Sequence, residues 1–274
     1  MDLPIWQAVL LGALQGLTEF LPISSSGHLA IVQHYLPGFK EPGVLFDVVL
    51  HVGTLAAVLI YFARDLKALL KNIFRKREEP RERDPGWRLL TGLILASIAT
   101  GILGLIFLSR IEALFQSMQA VGAGLLTTAA ILLLADLILK RAGLRKPEDP
   151  GVLQSLVIGL AQGIALIPGI SRSGATITAG IATGVESQRA VRFSFLLFIP
   201  AALAALVVTA LRNASAIRQF NSGQVTGYIL GAVMAMVVGY LCIDILLRAV
   251  NKGRLSYFAI YCGLMGAAVI FLGD

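Results

Sequence analysis

Of the 274 residues, 57% are hydrophobic and only 14% are charged. A soluble domain carries about 25% charged residues, so this composition excludes a chain that covers itself with a water-facing surface and points to one embedded in lipid. The net charge of +7 is gathered into a few short segments, the pattern of cytoplasmic loops of a membrane protein and not of a nucleic-acid-binding face.

The first apolar stretch, 6–21, lacks a basic leader and carries Glu19, which argues against a secretory signal. Pro22-Ile23-Ser24-Ser25-Ser26-Gly27 then breaks it, because proline removes a helical donor and glycine permits left-handed backbone. The apolar piece that follows, 29–36, is too short to cross a bilayer. A helix–turn–helix hairpin is predicted. A span follows at 44–62. Its His51 stands four residues after Asp47, within bonding reach along a helix, and His51 and His34 are both read as structural. The long polar loop 64–88 holds nine of the 23 basic residues, and its charge run 75–84 is a solvated segment. Spans are predicted at 89–108 and 121–139, the latter followed by Lys140, Arg141, Arg145 and Lys146. A second break, Pro168-Gly169-Ile170-Ser171-Arg172-Ser173-Gly174, predicts a second hairpin. Spans at 193–211, 228–247 and 257–272 complete six, each reaching or approaching the roughly 20 residues that cross a hydrocarbon core. Arg248, Lys252 and Arg254 lie between the last two, and Cys242 and Cys262 fall within them as buried thiols.

The chain repeats itself. Gln7, Gly12, Gln15, Gly16, Ile23, Ser24, Ser26 and Gly27 recur at one offset as Gln154, Gly159, Gln162, Gly163, Ile170, Ser171, Ser173 and Gly174. Phe46, Leu50 and Leu59 recur at the same offset as Phe193, Leu197 and Leu206. A second offset relates Thr91, Gly92 and Gly104 to Thr226, Gly227 and Gly239. Residues 1–274 are thus one membrane domain made of two copies, 1–141 and 150–274. Polar turn backbone at membrane depth survives only where it lines a cavity or is buried in protein, so both hairpins are read as re-entrant. Each copy then crosses three times, and the odd number turns the second copy upside down. The expected fold is an all-α polytopic membrane protein, six transmembrane helices plus two re-entrant hairpins in an inverted-topology repeat, with a site near the midplane where the broken helices meet. With the basic loops cytoplasmic, both termini are extracytoplasmic and the first hairpin enters from outside.

The two hairpins differ where chemistry is carried. Glu19, Ser25 and His28 align with Leu166, Arg172 and Ala175. Ionisable groups at membrane depth are costly and usually functional. A serine turn at a helix N-terminus suits a phosphate, and Arg172 adds a fork of donors that holds phosphate bidentately. Glu19 offers a base or metal ligand, His28 an acid or nucleophile, Ser25 a hydroxyl nucleophile. Gln15, four residues before Glu19, shares its helical face. Together they describe phosphoryl transfer. The plainer alternatives are that Ser24 and Ser26 only cap the returning helix and that Glu19 and Arg172 form a structural pair. No phosphate-binding P-loop, Cys-x-x-Cys cluster or zinc-type histidine spacing occurs.

Gln15-Gly-Leu-Thr-Glu19-Phe-Leu-Pro-Ile-Ser-Ser-Ser-Gly-His28 resembles the first signature of the undecaprenyl-diphosphate phosphatases, the bacitracin-resistance proteins. Pro168-Gly-Ile-Ser-Arg-Ser-Gly-Ala-Thr176 resembles the second, and the likeness extends over essentially the whole chain. The resemblance implies hydrolysis of a C55 polyprenyl diphosphate to its monophosphate in the bacterial plasma membrane, recycling the cell-wall lipid carrier. It also implies a divalent cation, Mg²⁺ or Ca²⁺, with Glu19 as its expected ligand. Carried over by position, the essential carboxylate is Glu19, the histidine His28 and the arginine Arg172, with Ser25 beside them. Gln15, Ser24, Ser26, Gly27, Ser171, Ser173, Gly174 and Thr176 are expected to contact substrate. The family pattern admits Glu or Gln at position 15; Gln15 is no base, which leaves Glu19 as the principal carboxylate. The expected partners are the lipid substrate and the bilayer, with no nucleic acid and a homodimer left open. The rival reading is a transporter or flippase of a polyprenyl phosphate lipid, which needs Arg172 for binding but no nucleophile.

Overall fold

A computed structural model of the chain describes residues 4–37, 44–74, 85–141, 148–217 and 220–272. The basic run 75–84, Arg145, Lys146 and Asp274, which bear on the topology reading, lie outside the described residues. Those described form helices joined by turns, with no strand among them: α1 Ile5–Phe20, α2 Ser25–Tyr35, α3 Val44–Tyr61, α4 Ala63–Phe74, α5 Pro85–Leu114, α6 Met118–Arg141, α7 Val152–Ile164, α8 Arg172–Ala182, α9 Ser187–Arg212, α10 Ala214–Ile217, α11 Ser222–Asn251 and α12 Ser256–Leu272.

The ends of these helices are set by local chemistry. Pro22 stops the chain from continuing α1, and Ser24 caps α2 by accepting the N–H of Gly27. Ser171 caps α8 in the same way, accepting the N–H of Gly174 at 3.1 Å. Pro85 opens α5, where its missing N–H costs nothing. Glu186 caps α9, and Asn221 with Gln224 forms a reciprocal box at the start of α11.

Four helices, α5, α6, α9 and α11, are each long and apolar enough to cross a bilayer, and α3 with α4 passes the same test as one pair bent by 68°. The outer faces carry large apolar side chains such as Ile98, Leu105, Leu241 and Leu264, more than half exposed, a surface suited to lipid. The chain is a multi-pass, all-helical membrane protein. Two boundaries depart from the sequence reading. The segment 64–88 is not loop throughout: Leu66 and Leu69 bury one side of α4 against the core, and Arg64, Lys67 and Lys71 occupy the other. Helix α5 runs on to Leu114, past the predicted end of its span at 108. At 17 residues α12 is short for a span.

Packing places each hairpin against the opposite half. Helix α1 lies along α11 and α7 along α5. The approach is backbone to backbone. A side chain at Gly12 would strike Gly231, and one at the repeat-related Gly159 would strike Ala96, so small residues let these helices touch. Each hairpin is closed at its mouth by repeat-related glutamines: Gln7 donates to Pro37 O at 3.1 Å, and Gln154 donates to Thr183 O at 2.9 Å. Between the halves, Phe20, Phe62, Phe195 and Phe198 pack edge-on or tilted and bind α1, α3 and α9 into one core directly beneath the turns.

Candidate active site between the two hairpin turns

The two turns meet. Gly169 takes φ +86°, a conformation that favours glycine, and a Cβ on Gly27 would lie 3.1 Å from its Cα. Thr128 of α6 fixes the second turn, donating to Gly169 O at 2.9 Å and accepting the Ser171 N–H at 2.8 Å. Ser173 Oγ reaches across to Leu21 O at 3.4 Å. Ser24, which leads into α2, is the one non-glycine at positive φ among the described residues, at 71°. Such backbone costs on the order of 1–3 kcal/mol and persists only where the surroundings over-determine it.

These contacts bring the first residues of α2 and α8, Ser25 and Arg172, onto one buried carboxylate. Arg172 Nη2 is 2.6 Å from Glu19 Oε1. Ser25 Oγ donates to Glu19 Oε2 at 2.6 Å, and Gln15 Nε2 donates to the same oxygen at 2.9 Å. Ser25 and Arg172 occupy the same position in the two repeats, so the site is one repeat position used twice, with a hydroxyl on one side and a cation on the other. Arg172 also donates to Ser194 O at 3.3 Å and lies over the Phe198 ring at 4.3 Å, which fixes the plane of its fork. With the Gly27 and Gly174 N–H groups taken by the caps, those of Ser25, Ser26, Arg172 and Ser173 have no carbonyl one turn back to bond.

The remaining expected residues divide. Ser24 and Ser171 are caps, Gly27 and Gly174 supply the N–H groups those caps accept, and Ser26 and Ser173 bond their own turn's serine at 3.3 and 3.2 Å. Thr176 is buried beneath the second turn, bonded to Arg172 O and Ser194 Oγ. His28 is not brought to Glu19. Its Nδ1 donates to Ser24 O at 2.8 Å, and its Nε2 is hydrogen-bonded to Tyr261 Oη at 2.7 Å. The imidazole thereby braces the first turn against α12.

Two neighbours were not among the expected site residues. His51 of α3, read as structural, places Nε2 3.5 Å from Glu19 Oε2, and its repeat-related position is Phe198, beneath Arg172. Tyr261 holds His28. A signal for His51 existed, a titratable group inside an apolar run, the same signal that singled out Glu19.

A cation held by the protein does not fit this donor set. Both Glu19 oxygens are occupied by Arg172, Ser25 and Gln15, and the guanidinium already balances the carboxylate. Among the described residues no three His, Cys, Asp or Glu side chains converge, whereas a hard cation takes six or more oxygens. Gln15 Oε1, buried and without a partner, is the one spare oxygen beside it.

The sequence matches the family described as bacitracin resistance protein BacA over residues 8–268. It is 44% identical over 262 residues to an undecaprenyl-diphosphatase of Syntrophotalea carbinolica, covering 94% of this chain and 95% of that one. It is 40% identical over 278 residues to an undecaprenyl-diphosphatase of Desulforapulum autotrophicum, covering 98% of each. An undecaprenyl-diphosphatase of Methanosphaera stadtmanae is 38% identical over 283 residues, again covering 98% of each. With both hairpin motifs inside the matched range, the chain belongs to the bacitracin resistance protein BacA family.

Proposed function

We propose that this chain hydrolyses undecaprenyl diphosphate to undecaprenyl phosphate and inorganic phosphate, with the terminal phosphate seated between the two hairpin turns. One observation carries the chemistry: a single buried carboxylate joins a serine hydroxyl from one turn to an arginine from the other. A hydroxyl bonded at 2.6 Å to a carboxylate is a nucleophile with its base in place. Ser25 Oγ attacks the terminal phosphorus and passes its proton to Glu19 Oε2. The bond from that phosphorus to the bridging oxygen breaks, and undecaprenyl phosphate leaves. Water then releases the phosphate from Ser25. The remaining N–H donors of the Arg172 guanidinium and the backbone N–H groups of Ser25, Ser26, Arg172 and Ser173 stabilise charge on the transferring oxygens. His28 and Tyr261 hold the first turn in register. Any Mg²⁺ or Ca²⁺ enters as part of the substrate, chelated by the diphosphate.

The topology that serves this chemistry has six spans, α3, α5, α6, α9, α11 and α12, and two re-entrant hairpins, α1–α2 and α7–α8, in inverted repeats. At about 1.5 Å per residue, α2, α7 and α8 fall well short of the roughly 30 Å hydrocarbon core, which supports turns that sit at depth. The crossed packing of α1 on α11 and α7 on α5 and the paired glutamine clasps support the repeat. The first hairpin's mouth joins the end of α12 through Tyr35 and Leu272 O, on the side assigned to the extracytoplasmic face. At the other side Arg192 binds Asp65 and Asp149, and Arg88 binds Glu148. The site opens outward in the bacterial plasma membrane, and the polyprenyl tail stays in lipid.

The test is phosphate release from undecaprenyl diphosphate by the purified protein. Turnover with Mg²⁺ or Ca²⁺ and none with chelator is expected, together with no calorimetric uptake of either cation by lipid-free protein. Binding of the lipid with no phosphate release under any of these conditions would replace the enzyme by a transporter.

A further inference from the structure

We propose that His51 is the base that activates water in the second half of the reaction. The inference rests on the reading of Ser25 as nucleophile. Once Ser25 has given its proton to Glu19, that carboxylate must hand it back to the departing Oγ and cannot also take a proton from water. A second acceptor is needed. Arg172 has no acceptor, the Gln15 amide is no base, and both His28 nitrogens are engaged. His51 has what is required. Its Nδ1 lies 2.8 Å from Asp47 O, which only accepts, so in the neutral imidazole Nδ1 carries the proton and Nε2 the lone pair. Nε2 stands 3.5 Å from Glu19 Oε2, the oxygen that receives the Ser25 proton. The His51 side chain is 31% exposed against 5% for Glu19, so of the two groups it is the more open one.

The step balances. The oxygen of water bonds to phosphorus, the bond from phosphorus to Ser25 Oγ breaks, the water proton passes to His51 Nε2, and Oγ recovers its proton from Glu19. The imidazolium forms as Glu19 regains its negative charge beside it, leaving the charge of the site unchanged. The proton on Nε2 then leaves to solvent. Phe198 at the related position of the other repeat cannot do this, so the base belongs to one half only.

Rapid-quench kinetics on the full chain with undecaprenyl diphosphate tests the inference. His51→Gln is expected to form undecaprenyl phosphate in a burst of about one equivalent, itself a sign of a folded site. Inorganic phosphate should then appear at least about 100-fold more slowly than in the wild type, with phosphate found on Ser25 by mass spectrometry of acid-quenched protein. In His51→Ala, added imidazole should restore the slow step. Both products appearing in step in His51→Gln, with no phosphoserine, overturns the assignment, as does His51→Ala unmoved by imidazole. Sustained turnover by Ser25→Ala would instead remove the Ser25 reading on which it stands.

Discussion

At the scale of single residues, the site is a charge pair put to use. Glu19 and Arg172 are removed from water, and stripping one partner from such a pair costs about 3–5 kcal/mol because the other charge is left uncompensated. Lysine at position 172 keeps the charge but loses the planar fork, the second arm to Ser194 O and the stack on Phe198. Arg172→Lys is therefore expected to elute as a folded protein on size exclusion. Its phosphate release should fall by at least about 100-fold, the equivalent of roughly 2.7–4 kcal/mol in the barrier. Near-normal release would reduce Arg172 to a structural partner of Glu19. Glu19, Ser25 and Arg172 were legible in the sequence because a repeat exposes the positions where its copies diverge. His51 carried the same signal, a titratable group in an apolar run opposite Phe198 of the other repeat, but its approach to Glu19 is set by how α3 packs, which no spacing encodes. For His28 the sequence supplied the residue but not its rotamer, which Ser24 O and Tyr261 decide.

At the scale of elements, the hairpins owe their meeting to two features of the second turn: left-handed backbone and the absence of a side chain. Gly169 and Gly184 separate these. Both have positive φ, but a Cβ on Gly184 meets nothing within 4 Å, while one on Gly169 runs into Val121 O and lies 2.9 Å from Gly124 Cα. Gly184→Ala is expected to lower stability by only the left-handed penalty, about 1–2 kcal/mol, and to leave phosphate release intact. Gly169→Ala should lower the thermal midpoint further and abolish release, because the turn cannot shift without breaking the Thr128 bonds. Equal midpoints for the two variants would show that the turns do not depend on this contact. The breaks at Pro22 and Pro168 announced both hairpins in the sequence. Helix α4 escaped it because charge dominated the reading of 64–88, although its apolar residues recur at helical spacing.

At the scale of the whole molecule, the inverted repeat makes a claim about sidedness. In the proposed topology, three crossings per half put both termini on one face and the basic loops on the other. Cys242 and Cys262 are buried, so single-cysteine reporters are readable once these two are replaced by alanine. Glu79→Cys is expected to react with an impermeant maleimide only from the cytoplasmic side, and Asp274→Cys only from outside. Labelling of both from one side would require a different parity of spans and would dissolve the repeat. Packing of α1 on α11 and α7 on α5 could be anticipated only in outline, since the sequence marks the glycines but not which helix each one faces.

The claim that ties these scales together is that Glu19 and Ser25 act as one chemical unit on lipid that the rest of the site binds. Measuring undecaprenyl diphosphate affinity and phosphate release side by side in Glu19→Gln, Ser25→Ala and the double variant tests it most directly. All three are expected to bind the lipid about as the wild type does. Each single variant should release phosphate more slowly by orders of magnitude, and the double variant should be little slower than either single one, because residues acting in one step are not additive. Wild-type release by either single variant, or a double variant slowed by the full product of the two, would contradict the account.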